Sequence, residues 1–296
     1  MAAQDNDPIR AARALYARQM AALLGQPNQR LQAAFAAVPR EAFLDDKPWR
    51  IVSPGGATVS LPQNDPTLIY QDVLLALQPE RGVNNGSPSL HIRLLHALDV
   101  RPGQRVLHLG AGAGYYTAIL AELAGPQGSV TGVELDPDLA ALAERNLKPW
   151  KQARIVCGDG FHWPRAPTDR IYVNFALARP ADAWLSHLPL GGRLLFPLAV
   201  PAPAPRSGVR HAMRGGALLV ENRGPGFAAS HVAPAYFVWA AGQRPEDAAM
   251  LAKLTEAFDR GGIEFVRSLV WKGAGDPGRC WFWQPDWALC YDKVPD

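Results

Sequence analysis

The stretch Arg105 to Glu134, RVLHLGAGAGYYTAILAELAGPQGSVTGVE, constrains the fold more than any other part of the chain. Val106, Leu107 and Leu109 form the short apolar run of a parallel strand covered on both faces, and Ala118, Ile119, Leu120, Ala121 and Leu123 give the following segment a helical packing face. Between them lie Gly110, Ala111, Gly112, Ala113 and Gly114. Glycines there let the backbone turn sharply and let a ligand approach the main chain, while the helix after them opens with free amide donors. A second strand ends on Glu134, so the stretch reads as half of a nucleotide-binding α/β unit.

Spacing narrows the ligand. The dinucleotide fingerprint G-x-G-x-x-G/A fails in both registers, because Tyr115 falls on the last glycine position counted from Gly110 and Thr117 on it counted from Gly112. A P-loop fails too, since no Gly-Lys-Ser/Thr follows. G-x-G-x-G with a carboxylate, Glu134, at the end of the next strand suits a ribose without a phosphate, and hence S-adenosylmethionine. Downstream, Pro137 to Leu147 has helical periodicity and Ala153 to Cys157 reads as a strand leading to Gly158, Asp159 and Gly160. Asp159 is placed to bond an adenine amino group. An Asx turn between two glycines explains the same residue structurally.

These segments resemble a class I S-adenosylmethionine-dependent methyltransferase, and within that class the protein-L-isoaspartate O-methyltransferase family. The resemblance rests on VPREAF (Val38 to Phe43), Tyr70-Gln71-Asp72, GAGAGYYTAILAELAG and GGRLLFPL (Gly191 to Leu198), and spans about residues 30 to 240. It implies an α/β fold: a doubly wound, mostly parallel, seven-stranded Rossmann-like sheet with an N-terminal helical cap and a C-terminal α+β extension. The expected division is a helical cap and substrate loop over 1–98, a cofactor-binding core over 99–244, and an extension over 245–296 packed on the core. The expected cofactor-binding residues are His108, Gly110, Ala111, Gly112, Gly114, Tyr115, Glu134, Asp159, Gly160 and Asn174.

Two departures stand out against the family. It carries a threonine-isoleucine-serine-glutamine-proline stretch whose hydroxyls lie beside the methyl donor and the substrate carboxylate. Aligning its proline with Pro88 puts Asn84 at the threonine, Asn85 at the isoleucine, Gly86 at the serine and Ser87 at the glutamine. The hydroxyl is missing from its place, and Ser87, Asn84, Asn85 and the nearby His91 become the catalytic candidates, with Ser89 as a second hydroxyl. Turn chemistry accounts for Asn-Gly and Ser-Pro equally well, and a hydrogen-bonded structural histidine for His91. The second departure is His108, two places before Gly110, where many such enzymes carry an acid that holds the amino acid end of the cofactor; a water or the glycine-loop backbone could serve instead.

The rest of the chain fills in around this frame. Ile9 to Leu24 and Arg30 to Val38 read as helices; 46–68 is broken by prolines and glycines into a loop or short strands; Gln71 to Leu77 is strand-like; and Leu90 to Leu98 is a helix. Arg170 to Ala176 is a strand, Ala181 to Leu188 a helix, Ala199 to Ser207 a proline-rich excursion, and Ala217 to Asn222 pairs with Tyr236 to Ala240. Ala248 to Arg260 is a helix and Glu264 to Trp271 a strand, followed by an aromatic tail of Trp281, Phe282, Trp283, Trp287 and Tyr291 that serves as core or as a stacking wall.

Thirty basic against 27 acidic residues, with no local cluster, give no nucleic-acid footprint. No apolar run approaches the roughly 18 residues of a membrane span, and the polar start MAAQDNDP is no leader, so a cytoplasmic protein is expected. Cys157, Cys280 and Cys290 form no metal set and are expected as free thiols. Three functions remain open: carboxyl methylation of a modified aspartyl group in a protein or peptide, methylation of a peptide natural product or small molecule, and a non-catalytic cofactor-binding or interaction role. A carboxylate acceptor needs no general base; an alcohol, phenol or amine would, with His91 or His162 as candidates.

Overall fold

The computed structural model describes residues 7–45, 48–53, 57–203, 210–241, 247–273 and 275–295. The polar start over 1–6, the breakers at 54–56, the end of the expected excursion at 204–207 and the expected boundary at 244/245 lie outside them.

Helices α1 (Pro8–Ala22) and α2 (Gln29–Ala37) open the chain, with Asp7 accepting from the Ile9 amide and Asn28 from the Leu31 amide to satisfy their first turns. Next, β1 (Arg50–Val52), β2 (Thr58–Ser60), β3 (Leu74–Gln78) and β4 (Val83–Asn84) make a small antiparallel sheet in the order β2-β1-β3-β4, in and just after the stretch read as loop or short strands. Helix α3 (Pro88–Leu98) leads into the main layer: β5 (Arg105–Leu109), α4 (Tyr115–Ala124), β6 (Ser129–Glu134), α5 (Pro137–Asn146), β7 (Ala153–Cys157), β8 (Arg170–Val173), α6 (Asp182–Ser186) and β9 (Arg193–Pro201). The chain closes with β10 (Ala212–Asn222), β11 (Phe227–Pro234), α7 (Ala248–Arg260), β12 (Ser268–Trp271), β13 (Cys280–Trp283) and β14 (Trp287–Cys290).

The main sheet has ten strands in the order β13-β14-β12-β11-β10-β9-β8-β5-β6-β7, where seven were expected. Strands β7, β6, β5, β8 and β9 are parallel, and the other five join antiparallel. The three additional strands come from the C-terminal segment. Strand β12 pairs with β11 at Phe227–Leu269 and Ala228–Ser268, so the extension continues the sheet and satisfies an edge that would otherwise stay open. The partner of β10 is β11, not the expected Tyr236 to Ala240 segment, which makes isolated bridges from Val238 to His211 and from Trp239 to Ala176. Residues 199–201, read as excursion, belong to β9.

Alternation along the strands loads both faces of the sheet. Val106, Val130, Tyr172 and Leu195 enter a core shared with α1 to α4, while Leu107, Leu109, Val133, Ile171, Val173, Leu194 and Phe196 enter a second core with Trp184, Leu254, Trp281 and Trp287. The tryptophans are fully buried, and burying a large apolar side chain contributes on the order of 1.5–3 kcal/mol. The aromatic tail is thus core material. Cys280 and Cys290 face each other across β13 and β14 and are joined as a disulfide, correcting the expected free thiols; adjacent strands bring their Cα atoms to 3.7 Å. Cys157 is free and exposed.

Candidate functional site

The parallel order changes direction between β5 and β8, so the chain leaves β5 toward one side and β8 toward the other and opens a crevice at their carboxyl ends, where α/β proteins bind ligands. Gly110 follows β5 and Asn174 follows β8. A cavity of about 290 Å³ lies there. Its floor is Gly110, Ala111, Gly112, Ala113 and Asn174; one wall is Asn84, Asn85, Gly86, Ser87 and His91; Arg40 and Tyr115 enter from the helical side, and His211, Pro234, Tyr236 and Phe237 from the antiparallel side. All four catalytic candidates therefore share one cavity with five of the cofactor candidates. His108, Gly114, Glu134, Asp159 and Gly160 do not line it.

Gly110 and Gly112 hold φ of +75° and +55°, a region that excludes most side chains, and Gly112 donates its amide to Glu134 Oε2 at 2.7 Å. Glu134 Oε1 accepts from the Asp136 amide at 3.0 Å, so the carboxylate ties the glycine loop to the start of α5. Burial raises its pKa against those amides. Gly114 begins α4 at φ +93°, and a Cβ there would lie 3.3 Å from Ala143 and Leu147, which gives it a packing role. Asp159 Oδ1 accepts from the Phe161 amide at 2.9 Å, the Asx-type turn, beside buried Gly160.

His108 is fully buried one layer behind the cavity, with Nδ1 2.8 Å from Thr117 Oγ1 and Nε2 2.8 Å from the Asn174 side-chain nitrogen. Burial lowers its pKa to about 3, so the ring is neutral and holds Asn174 in place. Asn174 Oδ1 is buried without a protein partner. A buried unmatched amide oxygen is costly unless a ligand supplies the donor.

On the opposite wall, Asn84 Oδ1 accepts from the Gly86 amide at 2.9 Å and Asn85 Oδ1 from the Leu75 amide at 2.8 Å, shaping the turn. Ser87 Oγ lies 3.1 Å from Asp72 Oδ1 and 2.9 Å from Ser89 Oγ, while Asp72 Oδ1 also accepts the Ser89 amide at 2.9 Å and so caps α3. His91 is buried, with Nδ1 2.6 Å from Tyr172 Oη and its ring stacked on Tyr116 at 3.7 Å. Burial, His108 and Arg40 together hold it well below the usual histidine pKa.

Reading the chain by itself missed Arg40, Tyr116 and Tyr172. Arg40 is 1 % exposed; it donates from Nη1 to the Ile69 and Gln71 carbonyls and from Nη2 to that of Val73, and lies over the Tyr16 and Tyr115 rings. Among the described residues it has no carboxylate partner, and the cavity lining holds no Asp or Glu. The signal was present in VPREAF, an arginine inside an otherwise apolar helix end.

A glycine loop after the central strand, an acid closing the next and a cavity at the switch point define a class I S-adenosylmethionine-dependent methyltransferase. The family model described as Protein-L-isoaspartate(D-aspartate) O-methyltransferase (PCMT) matches residues 24–204, and the chain belongs to that family. The chain is 34% identical over 200 residues to protein-L-isoaspartate O-methyltransferase 2 of an Anaeromyxobacter species, covering 66% of this chain and 72% of that one. Identity to protein-L-isoaspartate O-methyltransferase 1 of Archaeoglobus fulgidus is 32% over 162 residues, or 53% and 74% of the two chains. Among solved structures, a protein-L-isoaspartate O-methyltransferase superposes with TM-score 0.60 at 24% identity over 76% of this chain and 66% of that one. A Plasmodium falciparum homologue in complex with S-adenosyl-L-homocysteine gives 0.59 at 15% over 78% and 99%. These two share the fold: a parallel core with an antiparallel continuation. No helix among the described residues is long and apolar enough to cross a membrane, and no group of His, Cys, Asp or Glu among them is arranged to hold a metal.

Proposed function

We propose that this methyltransferase acts on a free carboxylate of a modified aspartyl group in a protein or peptide. The observation that carries the reading is the charge of the cavity: Arg40 is the permanently charged residue in its lining, and no acid opposes it. An anionic acceptor is drawn into such a site, and an ionised carboxylate is already a nucleophile near pH 7.

The residues fit S-adenosylmethionine. Gly110, Ala111, Gly112 and Tyr115 would lie along it with the first amides of α4; Asn174 Oδ1 would meet a donor of its amino acid end; Glu134 retains acceptor capacity for ribose hydroxyls; and Asp159 with Gly160 would border the adenine. His108 acts through Asn174, and Gly114 through the packing of α4 on α5. Bound there, the cofactor supplies a methyl group already activated by its sulfonium charge. The chain's own contribution is alignment and exclusion of water, since no base has to accept a proton.

In this reading residues 1–98 supply Arg40 and the acceptor wall, 99–244 the cofactor floor, and 245–296 the continuation of the sheet, in a cytoplasmic protein. A smaller acceptor such as a peptide natural product is the second reading, favoured by the wall of His211, Pro234 and Tyr236, which lies outside the family match. Incubation with methyl-labelled donor and, separately, isoaspartyl peptides and small acceptors tests both. Base-labile methyl esters on the peptide support the first; stable methyl products on small acceptors alone would exclude it.

A further inference from the structure

The place where the family carries its serine is closed to any side chain here. Gly86 has φ of +76°, and a Cβ built on it would fall 2.2 Å from His91 Nε2 and 2.8 Å from Cδ2. The imidazole of His91, one turn into α3, fills the space that a residue-86 side chain would occupy, and both residues line the cavity.

The ring is fixed from several sides. It stacks on Tyr116 with 10° between planes, meets Tyr172 and Phe237 edge-on at 5.9 and 5.7 Å, and sets Nδ1 2.6 Å from Tyr172 Oη. Tyr172 is fully buried, and its hydroxyl has no other partner among the described residues. A buried O–H must donate, and Nδ1 is the acceptor within reach, so the ring proton resides on Nε2. Nε2 has no protein partner among the described residues and is left for the cavity.

We propose that His91 Nε2–H replaces the missing hydroxyl as the donor that orients the acceptor carboxylate, with Tyr172 as the positioning residue that fixes its tautomer. This rests on the carboxylate reading above. In the step, a carboxylate lone pair forms the new O–C bond as the C–S bond breaks and its electron pair passes to sulfur; His91 keeps its proton throughout. The tautomer decides the substrate class. A hydroxyl or amine acceptor would need Nε2 as a bare lone pair to take a proton, the opposite arrangement.

The test uses the full chain loaded with S-adenosyl-L-homocysteine. Nitrogen-15 NMR of histidine-labelled protein should show His91 protonated on Nε2 and its Nε2 resonance moving on addition of an isoaspartyl peptide; an Nδ1–H ring would overturn the proposal without any activity measurement. By calorimetry, His91→Phe, which keeps the ring stack, should bind S-adenosyl-L-homocysteine within about threefold of wild type and the isoaspartyl peptide at least tenfold more weakly. Its kcat/KM should fall about 100-fold, the scale expected for one lost positioning contact. His91→Gln, which retains a donor, should recover at least tenfold of that loss, and Tyr172→Phe should lower kcat more than it raises KM. Wild-type peptide affinity and turnover in His91→Phe would overturn the assignment to His91. If the wild-type chain itself makes no base-labile ester, the carboxylate reading fails, and this proposal with it.

Discussion

The two halves of the cavity are built by different means. The cofactor half is backbone: the loop from Gly110 to Gly114, fastened by Glu134 within thirty residues of sequence. The acceptor half is side chains gathered from afar, with His91 held by Tyr172 at a separation of 81 residues and walled by His211 and Tyr236. A backbone loop tolerates little change because its amide positions are its function. A side-chain wall can be rearranged one residue at a time, and the family's serine position shows such a rearrangement.

The comparison can be broken most severely by removing what both halves stand on. Deleting residues 247–295 strips α7, β12, β13 and β14 from the second core, uncovering Val266, Trp281 and Trp287 and opening the β11 edge. The shortened chain should be insoluble or lack a cooperative melt, and a soluble one with wild-type turnover would separate the extension from the fold. Next in size, Glu134→Ala leaves the Gly112 and Asp136 amides without their acceptor, at a cost of about 1–3 kcal/mol. Calorimetry should show cofactor-product binding weakened by roughly 10- to 100-fold, with acceptor KM little changed.

The reciprocal variant is Gly86→Ser. A positive φ and overlap with the His91 ring should lower stability by about 1–3 kcal/mol in thermal unfolding, without raising activity on isoaspartyl peptides. Cofactor affinity should hold. If Gly86→Ser instead improved turnover, the serine position would be free and the acceptor half no different from the family's.

A smaller, graded effect concerns His108. Its folded pKa, about 3, lies below the ordinary 6.5, so the unfolded chain binds the extra proton first; stability is full above pH 6.5 and declines as pH falls from there toward 3. His108→Asn should flatten that decline in a melting-temperature series. Smallest of all, Ser87→Ala removes a hydroxyl already engaged by Asp72 and Ser89, and kcat/KM should change by no more than a few-fold.

This division also explains what could be read from the chain beforehand. Strands β5, β6 and β7 and helices α4 and α5 follow from local periodicity, and the glycine spacing singled out the cofactor. The candidates Asn84, Asn85, Ser87 and His91 do share the cavity, yet nothing local told which of them faces a free space: the asparagine oxygens and the serine hydroxyl are spent on the turn and on Asp72. Strand β11 was misplaced because Phe227, Ala228, Ala229 and Ala233 lack the β-branched signature, whereas Tyr236 to Ala240 carries it without a ladder. The sheet reached ten strands because pairing between β11 and β12 depends on an edge that only the assembled sheet presents.

The pairing of β9 with β10 has a further consequence. The family match stops at residue 204, between two strands that run side by side from Ala212–Pro201 to Glu221–Arg193. No seam exists at which an ancestral module could be detached from a later addition. Yet the hairpin of β10 and β11 carries His211 and Pro234 to the mouth of the cavity. The molecule can therefore drift in what it accepts by altering a hairpin that its catalytic loops never contact in sequence, while its hydrogen-bonded ladder keeps that drift from unsettling the cofactor floor.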